Sequence, residues 1–188
     1  MDTIIVKADL SNEWYVPEVW EKNMSHAGRV IREGGLVAFP TETVYGLGGN
    51  ALDKRAAEKI YRAKGRPSDN PLIVHISRIS QAENIAVNIS HDARRLMEEF
   101  WPGPLTIILD KADIVPKETT GGLDTVALRM PNHPVALKLI EEAGVPVAAP
   151  SANLSGKPSP TTAGHVAEDM MGRINMIVDG GAVAIGIE

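Results

Sequence analysis

Leu36-Val37-Ala38-Phe39-Pro40-Thr41-Glu42-Thr43-Val44-Tyr45-Gly46-Leu47-Gly48-Gly49 is the stretch on which the fold turns. Its first four residues are a continuous apolar run, too short for a helix and of the kind that forms a fully buried strand. Pro40 cannot donate to a ladder and stops the run. Thr41 to Gly49 then read as a glycine-rich loop. A buried strand that empties into such a loop, with helical periodicity on both sides, is the building pattern of an α/β protein, whose ligand crevice lies beyond the strand ends.

Working outward, residues Thr3 to Ala8 are a β-rich start. Pro17 to Glu33 carries Val19, Trp20, Met24, Ala27, Val30 and Ile31 near helical spacing, with Pro17 in the first turn and Gly34-Gly35 at the end. Downstream, Asp53 caps a helix that buries Ala56, Ala57, Ile60 and Tyr61 and stops at Gly65. Leu72 to Ile76 is a strand entered through Pro71, and Ser90 caps a helix through Leu96, Met97 and Phe100. The breaker Trp101-Pro102-Gly103-Pro104 precedes a strand over Leu105 to Leu109. Strands at Asp124–Met130, Val145–Ala149 and Asn175–Val178 then alternate with helices at His133–Ala143 and Thr162–Met171. The expectation is one domain over residues 1–188 with an α/β fold, of α+β type: a twisted, mixed sheet with helices on its faces.

Composition narrows the function. The 188 residues include no cysteine, which excludes disulfides, thiolate-bound zinc, iron–sulfur clusters and a thiol nucleophile, and fits a reducing, cytoplasmic setting. No apolar run approaches the ~20 residues of a membrane helix, and the N-terminus lacks a signal-peptide pattern, so no membrane partner is expected. With 24 acidic and 19 basic side chains the net charge of -5 opposes a nucleic-acid coat. Yet Lys54, Arg55, Lys59, Arg62, Lys64 and Arg66 face only Glu58 between Lys54 and Arg66, so these 13 residues hold +5 and the other 175 hold -10.

Three loops carry candidate chemistry. The Thr41–Gly49 loop offers two hydroxyls and the Glu42 carboxylate for a small polar ligand, and its glycines let amides approach; a tight turn is the plain alternative. In Arg62–Pro71, Lys64 and Arg66 flank the helix-ending Gly65 and enter a loop with Ser68 and Asn70, a pairing of point charge and bidentate fork suited to polyphosphate; a solvated helix face is the plain alternative. A P-loop is absent, since Gly156-Lys157 is followed by proline. The third loop, Ala149 to Pro160, is dense in hydroxyls and amides, but Ser151 lacks the Gly-x-Ser-x-Gly elbow of a hydrolase nucleophile. Arg129, at the end of its strand, can grip a carboxylate. The five histidines show no zinc spacing, and His75, inside an apolar strand, reads most simply as a satisfied core residue.

Five stretches together resemble the YrdC family of threonylcarbamoyl-AMP synthases: Phe39 to Leu47, Lys64-Gly65-Arg66 with Asn70-Pro71-Leu72, Trp101 to Thr106, Val126 to Pro131, and Ala149 to Gly156. Their order and spacing cover about Gly34 to Gly181. The resemblance implies an open, twisted mixed sheet with a concave active-site surface. It also implies synthesis of L-threonylcarbamoyl-adenylate from L-threonine, bicarbonate or CO₂, and ATP, releasing pyrophosphate. The product would feed downstream machinery that modifies tRNA.

By the same resemblance Lys64 and Arg66 are the catalytic, phosphate-holding pair. Asn70, Thr125, Ser151, Asn153 and Ser159 surround ATP, while Thr43, His75, Arg129 and Ala149 hold L-threonine, with Arg129 on its carboxylate. Mg²⁺ accompanies ATP, held by phosphates and water because no carboxylate cluster is seen. The family normally continues past Gly186-Ile187-Glu188 into a Ser-Thr-containing segment, and some members add a second domain, so a missing C-terminal segment is expected. The other reading is a non-catalytic module that binds double-stranded RNA or tRNA through the same basic residues.

Overall fold

Hydrophobic alternation sorts the sheet residues onto two sides, and the helices follow. The computed structural model describes residues 2–11 and 15–183. Its order is β1 (Ile4–Lys7), α1 (Pro17–Arg32), β2 (Val37–Pro40), β3 (Tyr45–Asn50), α2 (Lys54–Lys64), β4 (Ile73–His75), α3 (Ala82–Ile85), β5 (Ala86–Val87), α4 (His91–Phe100), β6 (Ile107–Lys111), β7 (Thr125–Arg129), α5 (Pro134–Ala143), β8 (Val147–Ala148), α6 (Ala163–Met170) and β9 (Met176–Asp179). Among the described residues the strands form one nine-stranded sheet ordered β1-β9-β2-β3-β8-β4-β7-β6-β5. It is mixed, as the sequence implies: β1, β9 and β2 run parallel, as do β4 and β7, while the remaining pairs are antiparallel.

The helix boundaries obey local chemistry. Asp53 accepts from the Arg55 amide at 2.9 Å to start α2, and Gly65 ends it at φ +63°, the left-handed region glycine enters without strain. Ser90, His133 and Thr162 cap α4, α5 and α6 through their side chains.

Two cores flank the sheet. On one side Ala38, Leu47, Val74, Val126, Leu128, Ala148 and Ile177 pack under α2, α3, α4 and α6. On the other, Val37, Phe39, Val147, Met176 and Val178 pack under α1 and α5. Each fully buried Phe, Met, Leu or Ile contributes about 1.5–3 kcal/mol. The second core draws nothing from β4, β7, β6 or β5. On that part of the face, among the described residues, Ile108 is 69% exposed beside Ala127, its cross-strand partner. The helices thus stop short and leave an open sheet face, which agrees with the concave surface expected of the fold.

One expectation is overturned. Most of the glycine-rich stretch is not a loop but β3, paired with β2 in register Val37↔Gly48 to Pro40↔Tyr45, with only Thr41 to Val44 left as the turn. Its glycines serve packing: a Cβ on Gly48 would lie 2.7 Å from Phe39 and 2.8 Å from Val147. Pro40 likewise closes β2 from inside it rather than from outside. Other boundaries move by one or two residues, and the two-residue β5, whose pairing to β6 gives it a partner, has no sequence period long enough to reveal it.

Candidate active site

The parallel pairing of β4 with β7 sets His75 beside Arg129 at the strand ends. The period of two places Thr125 and Ala127 on the same face as Arg129, with Thr125 ~13 Å back along the strand. Val147 of β8 pairs with His75 from the other flank, and because that pairing is antiparallel Ala149 lies beside Ile73, two residues back from His75 along the same face. Thr41, Val44, Gly46, Ile73, His75, Arg129, Ala149, Pro150 and Ser151 enclose a cavity of about 50 Å³ there.

The Thr41–Val44 turn fixes this end. Thr41 Oγ1 donates to the Val44 carbonyl at 2.7 Å and accepts from the Thr43 and Val44 amides. Arg129 Nη2 donates to Thr43 Oγ1 at 3.2 Å and lies 2.9 Å from Glu42 Oε1, both side chains being nearly buried. That pairing is electrostatic rather than aligned: neither Glu42 oxygen nor Arg129 Nε has a hydrogen-bond partner among the described residues. A guanidinium with an orphaned, buried Nε beside a small cavity is equipped to take a carboxylate.

His75 stands edge-on to Phe39 and its Nδ1 sits 3.2 Å from the Ile73 carbonyl. Burial, aided by the positive charge of Arg129, pushes its pKa down to about 3, so the ring is neutral near pH 7. The satisfied core reading of His75 and its place at the cavity wall are therefore both correct. Ala149 spends its amide on the Ile73 carbonyl at 2.8 Å, leaving its carbonyl as the backbone group at the cavity.

A second cluster adjoins the first through Ser151. Lys64, the last residue of α2, is 2% exposed and donates from Nζ to the backbone carbonyls of Ser151 at 2.5 Å and Asn153 at 2.7 Å. Asn153 donates to the Leu154 and Lys157 carbonyls, while its buried Oδ1 has no partner among the described residues. Ser159 and Asn153 line a neighbouring cavity of about 270 Å³ with Lys157, His165 and Asp169. Arg66 and Asn70 lie in the loop after α2, where Arg66 donates to the Asn70 and Pro71 carbonyls. Most of the expected residues therefore form two linked groups, with Arg66 and Asn70 apart in the loop after α2 and Thr125 further along β7.

Three contributors lie outside the residues singled out from sequence. Glu42 is visible there only as a loop carboxylate, and its pairing with Arg129 is tertiary. Asp169 accepts from the Leu154 amide at 3.0 Å and from Lys157 Nζ, contacts that hold its carboxyl below the usual range and pin the loop facing Lys64. Tyr45 donates from Oη to the Gly181 carbonyl at 2.6 Å, drawing the chain after β9 against the turn.

Known proteins share this fold. The family model described as telomere recombination, the Sua5/YciO/YrdC model, matches residues 29–188. The threonylcarbamoyl-AMP synthase of Pyrococcus abyssi is 62% identical over 162 residues, which are 86% of this chain and 48% of that protein. The threonylcarbamoyl-AMP synthase of Bacillus subtilis is 59% identical over 169 residues, 89% of this chain and 49% of that protein. The crystal structure of P. abyssi Sua5 complexed with L-threonine superposes with a TM-score of 0.92 at 56% identity, covering 99% of this chain and 53% of that one. This chain spans about half the length of these two curated relatives. With a family model spanning most of its length and relatives of this identity, the chain belongs to the Sua5/YciO/YrdC family.

Proposed function

We propose that this chain carries the active site that makes L-threonylcarbamoyl-adenylate from L-threonine, bicarbonate or CO₂, and ATP, with release of pyrophosphate. The observation that carries the reading is the convergence of His75, Arg129 and Ala149 at a small cavity that shares Ser151 with the Lys64–Asn153 cluster, with Thr43 hydrogen-bonded to Arg129 beside it. An amino-acid carboxylate would meet Arg129, and the neutral His75 would accept or donate a hydrogen bond without adding charge. Phosphates would enter past Arg66 towards Lys64. The amine must attack carbon, and the resulting carbamate oxygen must then approach phosphorus, so the chain's contribution is alignment and charge neutralisation.

Magnesium would arrive with ATP. The hard oxygens in reach are the Ser151 and Ser159 hydroxyls and the unpartnered Asn153 Oδ1, a set that fits an ion keeping its phosphate and water ligands. We place the protein in the cytosol, in keeping with its lack of cysteine, and its product with the tRNA threonylcarbamoyl-transfer machinery. Among the described residues no helix is long and apolar enough to cross a membrane.

The test is pyrophosphate release. The reading requires release that depends on L-threonine, bicarbonate and ATP together. RNA binding without that release would favour the binding-module alternative.

A further inference from the structure

Part of the positive run in α2 is not used by this site. Lys64 reaches the Ser151–Asn153 loop and Arg66, just beyond the helix, bonds the Asn70 and Pro71 carbonyls, but Lys59, Arg62 and Ala63 lie on another side of the helix. There they line a recess of about 350 Å³ with Leu36, Arg173 and Asn175. The recess sits where β2 and β9 begin, whereas the Thr41–Val44 turn lies where β2 ends, so the two places are separated by the length of the strand. A volume of this size is that of a small-molecule pocket.

The chemistry of the lining is one-sided. It holds three cations and no acid in a chain whose net charge is -5. Lys59 is anchored, donating to the Gly34 carbonyl at 2.6 Å. Asn175 Oδ1 is already spent on the Leu36 amide at 2.9 Å, which leaves its amide group as the donor. Arg62 and Arg173 have no ion pair or side-chain hydrogen bond among the described residues. Arg62 lies in the last turn of α2, where a cation is favoured in any case. That does not account for Arg173, which comes from beyond α6. Both guanidinium groups reach solvent, where water and salt screen their repulsion, so two unpaired forks from remote segments stand at one recess with their donors open to an anion.

We propose that this recess is a second, non-catalytic binding site for a phosphate monoester of nucleotide size. Arg62 and Arg173 fork onto the phosphoryl oxygens, as guanidinium groups do. Asn175 and Lys59 supply further donors, and Leu36 and Ala63 give an apolar floor for the organic body. The proposal does not depend on the synthase reading, because none of its residues belongs to that site.

The experiment is an NMR titration of the full chain with AMP, inorganic phosphate and a short RNA duplex in parallel, following the Leu36 methyl and Asn175 side-chain amide signals. Saturable shifts with AMP, at least about tenfold tighter than with inorganic phosphate, are expected, the margin being the worth of the apolar contact. Arg62→Ala/Arg173→Ala should remove them while Arg66→Ala leaves them in place. The proposal is overturned if AMP shifts neither signal, or if the shifts survive the double substitution. Shifts produced by RNA but not by AMP would overturn the small-ligand assignment, and equal affinity for phosphate and AMP would overturn the role of the apolar floor.

Discussion

Arg129 and Glu42 approach to 2.9 Å with side-chain exposures of only 7% and 13%. Removing one member of such a buried pair strands the other, at a cost of about 3–5 kcal/mol. Glu42→Ala and Arg129→Ala should therefore each lower stability in urea unfolding. The double substitution Glu42→Gln/Arg129→Met should recover much of the loss, because it removes both charges. If the double variant is as unstable as the sum of the singles, the two residues are not coupled.

Arg129 also faces the cavity, so it has a binding role apart from stability. Arg129→Ala should weaken L-threonine by about 10–100-fold, the worth of a hydrogen bond to a charged group, with ATP affinity largely kept. Calorimetric titration decides this. Loss of ATP binding with threonine affinity intact would reject the assignment.

Lys64 joins the end of α2 to the loop beyond β8 through the Ser151 and Asn153 carbonyls. Lys64→Met keeps most of the buried stem and deletes the charge. It should lower kcat/KM by about 100-fold or more, the scale of losing a donor to developing negative charge. Arg66→Ala should do likewise with a smaller effect on stability, since Arg66 is only half-buried. Wild-type rates in both variants would sink the phosphate-holding role.

His75 gives a pH dependence with a definite sign. Its folded pKa of about 3 lies below the ordinary value of 6.5, so the unfolded chain binds a proton that the folded chain refuses. The stabilisation from the neutral ring is complete above pH 6.5 and is lost as pH falls from there towards 3, with a slope approaching about 1.4 kcal/mol per pH unit. His75→Gln should remove this component from the pH profile of unfolding free energy. Superimposable slopes for the two proteins over that window would show that the ring is protonated in the fold.

Gly48 and Gly65 are needed for different reasons, and alanine separates them. Gly48→Ala forces a Cβ to within 2.7 Å of the Phe39 ring, so a loss of about 1–3 kcal/mol or more is expected. At Gly65 nothing lies within 4 Å of the added atom, and only φ of +63° opposes it, so about 1 kcal/mol should be lost. Equal losses in thermal unfolding would contradict the packing account of β3.

Sequence by itself determined what depends on neighbours along the chain. Apolar runs, Asp53 and Ser90 as caps, and Gly65 as a stop marked most elements, because their hydrogen bonds close within a few residues. The alternation of those elements indicated a mixed sheet, and five short motifs in register indicated the family. The Gly46–Gly49 segment misled because glycine reads as a loop former when its neighbours are unknown. Only the packed sheet shows Phe39 and Val147 occupying the space that side chains on β3 would need.

Tertiary structure alone decided the order of the nine strands, the bare face of β4, β7 and β6 beyond α5, and the meeting of Glu42 with Arg129. It also divided one basic helix between two places, with Lys64 turned into the loop beyond β8 and Lys59 and Arg62 facing Arg173 across a separate recess. The physical reason is the same in each case. Charge and hydrophobicity can be counted along a chain, but burial and the direction of a side chain are set by segments far away in sequence, and these govern whether a charge is paired, desolvated or left to receive a ligand.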